Sequence, residues 1–385
     1  MGPVIRISGH GPLTITLTGL FSGQISVIAG LAQARDTETG SPLASFSFLQ
    51  HGADCVSLTG TPDQLKRLSR ILAADQRVPA PLSRRLDSLL DNFLRSDYKI
   101  DCGGNILDLG SRTHIMGVLN ATPDSFSDGG RYVDKEKALA HAREMAAAGA
   151  DIIDIGGEST RPGAAPVAEE EELRRIIPLI ERLSTELTVP ISVDTYKSSV
   201  AKKAIKAGAR IVNDISGLRF SPDMAKVVAD TGVAVVIMHI KGTPRDMQQN
   251  PVYDDVVGEI MSCLEEGIGI AAAAGVDREK MLVDPGIGFG KTLDHNLMIL
   301  NRLDEFRALG RPIVLGTSRK KFIGAILDIP EPEQRVDGTS ATVALGIERG
   351  ACVVRVHDVA RMAQVARMTD AIVKTVQSTE YKVQS

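Results

Sequence analysis

His114-Ile-Met-Gly-Val-Leu-Asn-Ala-Thr-Pro-Asp-Ser-Phe-Ser-Asp-Gly-Gly130 is the stretch whose reading decides the fold. Ile115 to Leu119 is a short, nearly all-apolar run, as expected of a strand buried on both faces. The run stops at the amide of Asn120, a loop rich in Thr, Pro, Asp, Ser and Gly comes next, and the first clear helix is expected only after Asp134. A polar residue at the carboxyl end of a buried strand, followed by a long loop, is where α/β proteins place ligands. One such segment reads equally well as a strand with a hydrophilic turn. Its recurrence decides the matter.

Apolar runs return at Ile152–Ile155, Ile191–Val193, Ile211–Ile215, Val233–Met238, Met281–Val283, Ile313–Leu315 and Cys352–Val356. Helical spacing fills the gaps: Lys137–Ala148 with Leu139, Ala142, Met145 and Ala146 on one face, then Glu169–Leu187, Ser198–Ala207, Val256–Ala274, Asp294–Leu309 and Ser340–Gly350. Asp358 is placed to cap a last helix reaching about Gln377. Eight strands alternating with helices form the repeat of a (β/α)8 TIM barrel, fold class α/β. A doubly wound open sheet is the alternative, and no G-x-G-x-x-G follows the first strand to support it.

The carboxyl ends of these strands carry Asn120, Asp154, Asp194, Asn213, His239, Asp284, Ser318 with Arg319-Lys320, and Arg355 with His357. Any one Asp there could be a helix cap, but polar groups at all eight ends converge on one mouth. Three carboxylates and two amides suit a flat heterocycle with several N–H donors and ring acceptors. Lys320, Arg355 and His357 supply positive charge for an anion such as phosphate.

Composition narrows the class. The 385 residues are 43% hydrophobic and 24% charged, ordinary for a globular protein with a sizeable core. A net charge of −4 leaves no basic footprint for nucleic acid, and the absence of Trp argues against base-stacking platforms. No run is long enough to span a bilayer, so no membrane partner is expected. Cys55, Cys102, Cys263 and Cys352 lie far apart without a CxxC, as buried thiols of a reducing cytoplasm do.

Residues 1–96 differ from the rest and read as a small α/β N-terminal extension of unknown role, leaving 97–385 for the barrel. Leu13–Thr18 alternates as a half-buried strand, and Ile25–Gln33 could be a strand or the start of a helix. Ala53–Leu58 and Gly60-Thr-Pro-Asp63 read as strand, turn and helix start, with Leu65, Leu68, Ile71 and Leu72 at helical spacing. Leu86–Phe93 is another helix. No catalytic constellation falls here, so its removal is expected to leave a working barrel. Residues 98–109 form two short apolar arms around Gly103-Gly-Asn105, a hairpin that would plug the bottom of the barrel.

Residues 114–358 closely resemble the dihydropteroate synthase family of pterin-binding barrels. The resemblance rests on Gly117-Val-Leu-Asn-Ala-Thr-Pro-Asp-Ser-Phe-Ser-Asp-Gly-Gly, Asp154-Ile-Gly-Gly-Glu-Ser-Thr-Arg-Pro-Gly, Ser192-Val-Asp-Thr, Asn213-Asp-Ile, Asp284-Pro-Gly-Ile-Gly-Phe-Gly-Lys, Gly316-Thr-Ser-Arg-Lys and Arg355-Val-His-Asp. It implies condensation of 6-hydroxymethyl-7,8-dihydropterin pyrophosphate with p-aminobenzoate, in a homodimer joined through late barrel helices.

Carried over residue by residue, the resemblance implies that Asp194, Asn213, Asp284 and Lys320 hold the pterin, with Asp154 at its mouth, near the pterin edge. Asp284 would pair with N3–H and the 2-amino group. Asn120, Arg355 and His357 would hold the pyrophosphate, with Mg2+ against Asn120. Thr160, Arg161 and Pro162, with Phe126 and Phe289, would shape the p-aminobenzoate pocket. Asp194, Lys320, Arg355 and His357 are the expected catalytic set. The family often has a serine after the Arg-Lys pair where this chain has Lys321, which leaves open what meets the p-aminobenzoate carboxylate. A corrinoid methyltransferase domain binding methyltetrahydrofolate shares the barrel, but it would not need Ser318-Arg-Lys or Arg355-Val-His. A non-catalytic pterin-binding scaffold would not need intact loops at 120–130 and 156–163.

Overall fold

The computed structural model of the chain describes residues 4–9, 12–20, 22–33, 47–51, 53–121 and 131–382. Two compact units emerge: Met1–Ser96 with Arg302–Arg311, and Asp97–Asn301 with Pro312–Ser385. The first holds β1 (Val4–Ser8), β2 (Leu13–Thr18), α1 (Ser22–Gln33), β3 (Ser47–His51), β4 (Cys55–Gly60), α2 (Pro62–Ala74) and α3 (Ala80–Leu94). Its antiparallel sheet runs β1-β2-β4-β3. Period-two alternation buries Leu13, Ile15 and Leu17, while Thr14 and Thr16 meet Thr59 and Ser57 across the strands at 2.9 and 3.1 Å. The ambiguous Ile25–Gln33 stretch is helical. At α2, Thr61 and Gln64 form a capping box, each side chain bonding the other's backbone N–H, with Pro62 in the first turn.

Arg302–Arg311 changes the reading of one helix. The spacing predicts a single helix over Asp294–Leu309, but it ends at Asn301 and Leu303–Leu309 is 3-10. Leu303, Phe306 and Leu309 recur every third residue, which a 3-10 turn stacks on one edge. All three are buried within the first unit. There Asp304 accepts the Gly9 N–H at 2.7 Å, Ala308 O accepts from Asn92 at 3.1 Å, and Arg307 lies 4.6 Å over the Phe93 ring.

The second unit opens with the hairpin β5 (Lys99–Asp101) and β6 (Ile106–Asp108). The barrel elements then run β7 (His114–Asn120), α4 (Arg131–Ala147), β8 (Ile152–Gly156), α5 (Glu169–Glu186), β9 (Ile191–Asp194), α6 (Ser198–Ala207), β10 (Ile211–Asp214), α7 (Met224–Thr231) and β11 (Ala234–Met238). They continue α8 (Val256–Ala273), β12 (Met281–Asp284), α9 (Leu293–Asn301), β13 (Ile313–Leu315), α10 (Lys321–Leu327), α11 (Val336–Glu348), β14 (Ala351–Val356) and α12 (Val359–Lys382). The eight strands pair in parallel and close on one another, β14 against β7.

The hairpin plugs the amino-terminal end. Tyr98, Ile100, Cys102, Leu107 and Leu109 share one apolar cluster with Met116, Ile152, Ile211, Ala234, Val236, Leu282, Val314 and Val353. Strand side chains alternate faces, so the residues two positions on face the same interior one pleat higher. Those residues include Asp154, Asn213, Asp284 and Arg355.

Removing residues 1–96, expected to leave a working barrel, also takes away the partners of Arg302–Arg311. Their removal strips the cover from Leu303, Phe306 and Leu309, so a chain of residues 97–385 should aggregate. Replacing the three with polar residues should restore a soluble, folded barrel, as read by size-exclusion chromatography and circular dichroism. A soluble 97–385 chain with the three residues unchanged would refute this.

Candidate active site

Arg355, near the end of β14, donates from Nε to Asp154 Oδ2 and from an Nη to Asp194 Oδ2, both at 2.7 Å. Asn213 Nδ2 adds a second donor to the same Asp154 oxygen at 3.1 Å. One guanidinium thus ties three strands together, and Asn213 brings in a fourth through Asp154. The second oxygen of Asp154 and that of Asp194 are buried with no protein hydrogen-bond partner. Buried acceptors of this kind call for a donor, and the N–H groups of a bound heterocycle are such donors. Burial raises the Asp194 carboxyl above the ordinary carboxylate range, and the Arg355 charge opposes the shift.

Asp154 departs from its expected place. It lies two residues before the end of β8 and is 0% exposed, in the floor of the site rather than at the mouth. Arg355, expected on the pyrophosphate, is engaged with two carboxylates, though its side chain is 22% exposed.

Asp284 ends β12 and accepts the Gly286 N–H at 2.7 Å. Burial pushes its carboxyl up to about 6 against that hydrogen bond and the charges of Lys320, Arg355 and Lys291. Gly286 has φ 69°, and a Cβ there would lie 1.9 Å from the His239 carbonyl oxygen, so only glycine makes the turn. Lys320 crosses the same loop, with its ammonium 4.2 Å from the Phe289 ring centre. Burial lowers Lys320 to about 8.

Arg319 shapes the turn that delivers Lys320. It holds φ 59°, a left-handed conformation uncommon outside glycine, and is fixed there from three sides. Its guanidinium takes both Asp358 oxygens at 3.0 and 2.7 Å, its N–H meets Thr339 Oγ1 at 3.2 Å, and its carbonyl accepts from Arg335 at 3.0 Å. Ser318 accepts the His357 backbone N–H at 3.2 Å and lies 3.1 Å from Nδ1 of that ring. Burial, then the Arg355 and Arg319 charges, lower His357 to about 3, so the ring is neutral. When the Ser318 hydroxyl donates to Nδ1, the ring proton sits on Nε2 as a donor, the tautomer we assign to it.

At the rim, Asn120 and Thr160 are half-buried, while Arg161, Pro162 and Lys321 are exposed. Gly163 N–H meets Pro244 O at 3.0 Å. Phe126 and the rest of 122–130 lie outside the described residues. The anchor of the 156–168 loop carries no signal in the sequence. Lys197 binds Glu158 and Glu172, both at 2.5 Å, and Val167 O at 2.7 Å, while Tyr196 donates to Glu158 at 2.8 Å. Lys291, the last residue of the Asp284 motif, likewise has no role that the sequence alone assigns. Among the described residues no cluster of three or more His, Cys, Asp or Glu could hold a metal.

The chain is similar to known proteins. Residues 116–357 match the family described as pterin binding enzyme. The Bacillus subtilis dihydropteroate synthase is 54% identical over 68% of this chain and 89% of its own length. The Escherichia coli K12 dihydropteroate synthase is 44% identical over 74% of this chain and all of its own. Among solved structures, the Xanthomonas albilineans dihydropteroate synthase with 4-aminobenzoic acid is 47% identical, covering 72% of this chain and 98% of its own, at a TM-score of 0.68. The same enzyme in complex with 7,8-dihydropteroate gives 44% identity over 71% and 98%, at 0.65.

The carboxylate bridge makes a testable demand on stability. A carboxyl with a raised folded pKa binds its proton more tightly folded than unfolded, so its charge costs stability as pH climbs above about 4. Arg355 offsets that cost. Arg355→Ala should therefore lower the unfolding free energy by about 3–5 kcal/mol at pH 7 and by clearly less near pH ~4, where Asp194 is protonated in the fold. Denaturant titrations at both pH values check it; equal losses would mean that Arg355 acts by packing alone.

Proposed function

Because the chain belongs to the pterin binding enzyme family, and within it to the dihydropteroate synthases, we propose that it condenses 6-hydroxymethyl-7,8-dihydropterin pyrophosphate with p-aminobenzoate, giving 7,8-dihydropteroate and pyrophosphate. The observation that carries this is the set of buried carboxylates, Asp154, Asp194 and Asp284, gathered in one barrel interior, with Asp154 and Asp194 each keeping an unpartnered oxygen. A pterin edge presents N3–H and a 2-amino group side by side, and Asp284 accepts both. Asn213 and Asp194 take further ring N–H groups, while Lys320 donates to the ring's acceptor side and packs over Phe289.

The reaction then needs no protein nucleophile. The bond between the pterin methylene carbon and the pyrophosphate oxygen breaks, and the electron-rich ring stabilises the cation left behind. Nε2–H of His357 and the N–H groups of Arg355 not given to carboxylates meet the departing pyrophosphate. The neutral aromatic amine of p-aminobenzoate attacks the methylene carbon. Thr160, Arg161 and Pro162 line that approach, and Arg161 or Lys321 faces the carboxylate.

Mg2+ suits this donor set. Asp154, Asp194 and Asp284 stand against Arg355, Lys320 and Lys291, so the charges nearly cancel and the mouth has little positive excess for a pyrophosphate. With no group of three or more His, Cys, Asp or Glu placed to hold a metal among the described residues, the ion would be held by the Asn120 amide oxygen and the substrate's phosphate oxygens. It would supply Lewis-acid neutralisation of the leaving group.

We also place the reaction in the cytoplasm, in keeping with four free cysteines. No helix among the described residues is long and apolar enough to cross a membrane. The active form is a homodimer through α11 and α12, whose exposed Leu345, Met368 (63%) and Ile372 (55%) would be covered by a second copy.

Purified protein mixed with both substrates and Mg2+ should release pyrophosphate, and omitting either organic substrate should abolish release. Asp284→Asn turns one of two matched hydrogen bonds into donor against donor. Pterin affinity should fall at least about tenfold with melting temperature nearly unchanged, since such a mismatch costs ~1–3 kcal/mol. Normal binding by the variant would remove Asp284 from the site. For the dimer, Met368→Asp with Ile372→Asp should give a 41.1 kDa particle by light scattering where the parent gives twice that. A parent that is itself monomeric would rule the dimer out.

A further inference from the structure

Lys291 takes no part in the reaction above, yet it is only 3% exposed. Its ammonium lies 2.9 Å from His239 Nδ1 and 2.9 Å from the Phe289 carbonyl oxygen. Neither partner is charged: burial, then the Lys291, Arg219 and Lys241 charges, hold His239 neutral. Burial lowers the Lys291 amine to about 7, and its charged form, held among neutral hydrogen-bond partners, destabilises a fold, so a lysine here calls for another reason.

The surroundings of the 285–291 loop supply one. Gly288 N–H donates to Asn296 Oδ1 at 2.7 Å and its carbonyl accepts from Gln248 at 2.8 Å, while Gly290 O accepts from the Tyr253 hydroxyl at 2.7 Å. Lys291 adds the remaining tie, on the carbonyl of Phe289, whose ring carries Lys320. It also places a positive charge near Asp284.

We propose that Lys291 is a positioning residue for the pterin subsite: with His239 it fixes the loop that presents Phe289, and it supplies a charge that keeps Asp284 a double acceptor. The inference rests on the reading of Asp284 as the pterin's partner. The charged groups facing Asp284 are Lys320 from the β13 loop, Arg355 from β14 and Lys291 from its own loop, and all three lower its pKa. Lys291 in turn faces Asp284, Lys320, Cys263 of α8, and His239 and Lys241 after β11. Without the Lys291 charge the Asp284 carboxyl rises above about 6 and protonates at higher pH, and a protonated carboxyl cannot accept both N–H groups.

Binding of the pterin pyrophosphate by calorimetry across pH, on the full chain and on Lys291→Met and Lys291→Gln, tests this. Both variants should melt at or above the parent temperature, because an apolar or neutral side chain relieves a buried charge. Pterin affinity should fall about tenfold near pH ~5 and about twofold at pH 7, as the acid limb of binding moves up by about one pH unit. The KM for p-aminobenzoate, at saturating pterin, should change by clearly less than the pterin affinity near pH ~5. Unchanged pterin affinity and an unmoved acid limb would overturn the proposal. Failure of both variants to fold, or a lower melting temperature with both substrates weakened alike, would overturn it too, making Lys291 a structural element. A parent that does not bind pterin would sink the functional reading and this inference together; a parent that binds, with variants that match it, sinks this one alone.

Discussion

One guanidinium held between two buried carboxylates is the constraint on which the site depends. Asp154 and Asp194 stand on adjacent strands, close enough that Asp154 raises the cost of ionising Asp194. Arg355 reaches them from β14 and makes their joint burial tolerable. Because it uses only one oxygen of each, the other two stay unmatched, buried and available to a ligand. A site built by desolvation in this way is both reactive and costly. A buried pair is weak support for a fold and strong support for a binding requirement.

The barrel is legible in the sequence because its strands are buried on both faces and therefore read as unbroken apolar runs ending in a polar residue. Strand ends read from the sequence differ from the observed ones by a residue or so, as at Met281–Asp284 and Ala351–Val356. The short helices Met224–Thr231 and Lys321–Leu327 escape notice because two turns hold too few residues to show a period. Strands Val4–Ser8 and Ser47–His51 are equally short. The Asp294–Leu309 stretch misleads for a different reason: apolar residues at threefold spacing suit either helix type, and their packing partners, distant in sequence, decide between them.

Site residues are legible as a set and not as an arrangement. Period-two alternation places Asp154, Asn213, Asp284 and Arg355 on the inward face, but chain order says nothing of how strand tilt sets their relative depth. Hence Asp154, expected at the mouth, lies in the floor, and Arg355, expected on an anion, spans two carboxylates. Lys291 is hidden by its type. A lysine after a glycine-rich loop reads as a solvated charge, and only burial distinguishes this one.

The plug at the other end of the barrel explains why these charges act as they do. Ile100 and Leu107 of the hairpin, with Ile152, Ile211, Leu282 and Val353 of the strands, form an apolar layer one pleat beneath the polar one. A carboxylate standing on such a layer has no water behind it, so its only partners lie beside it or above it. In that low-dielectric setting a ligand N–H meeting Asp194 or Asp284 counts for more than it would in a solvated cleft. The same dryness protects a cation-like pterin from capture by water until the amine arrives. The apolar bottom and the charged mouth are therefore one device, and the strand alternation that makes the barrel close is what stacks them in register.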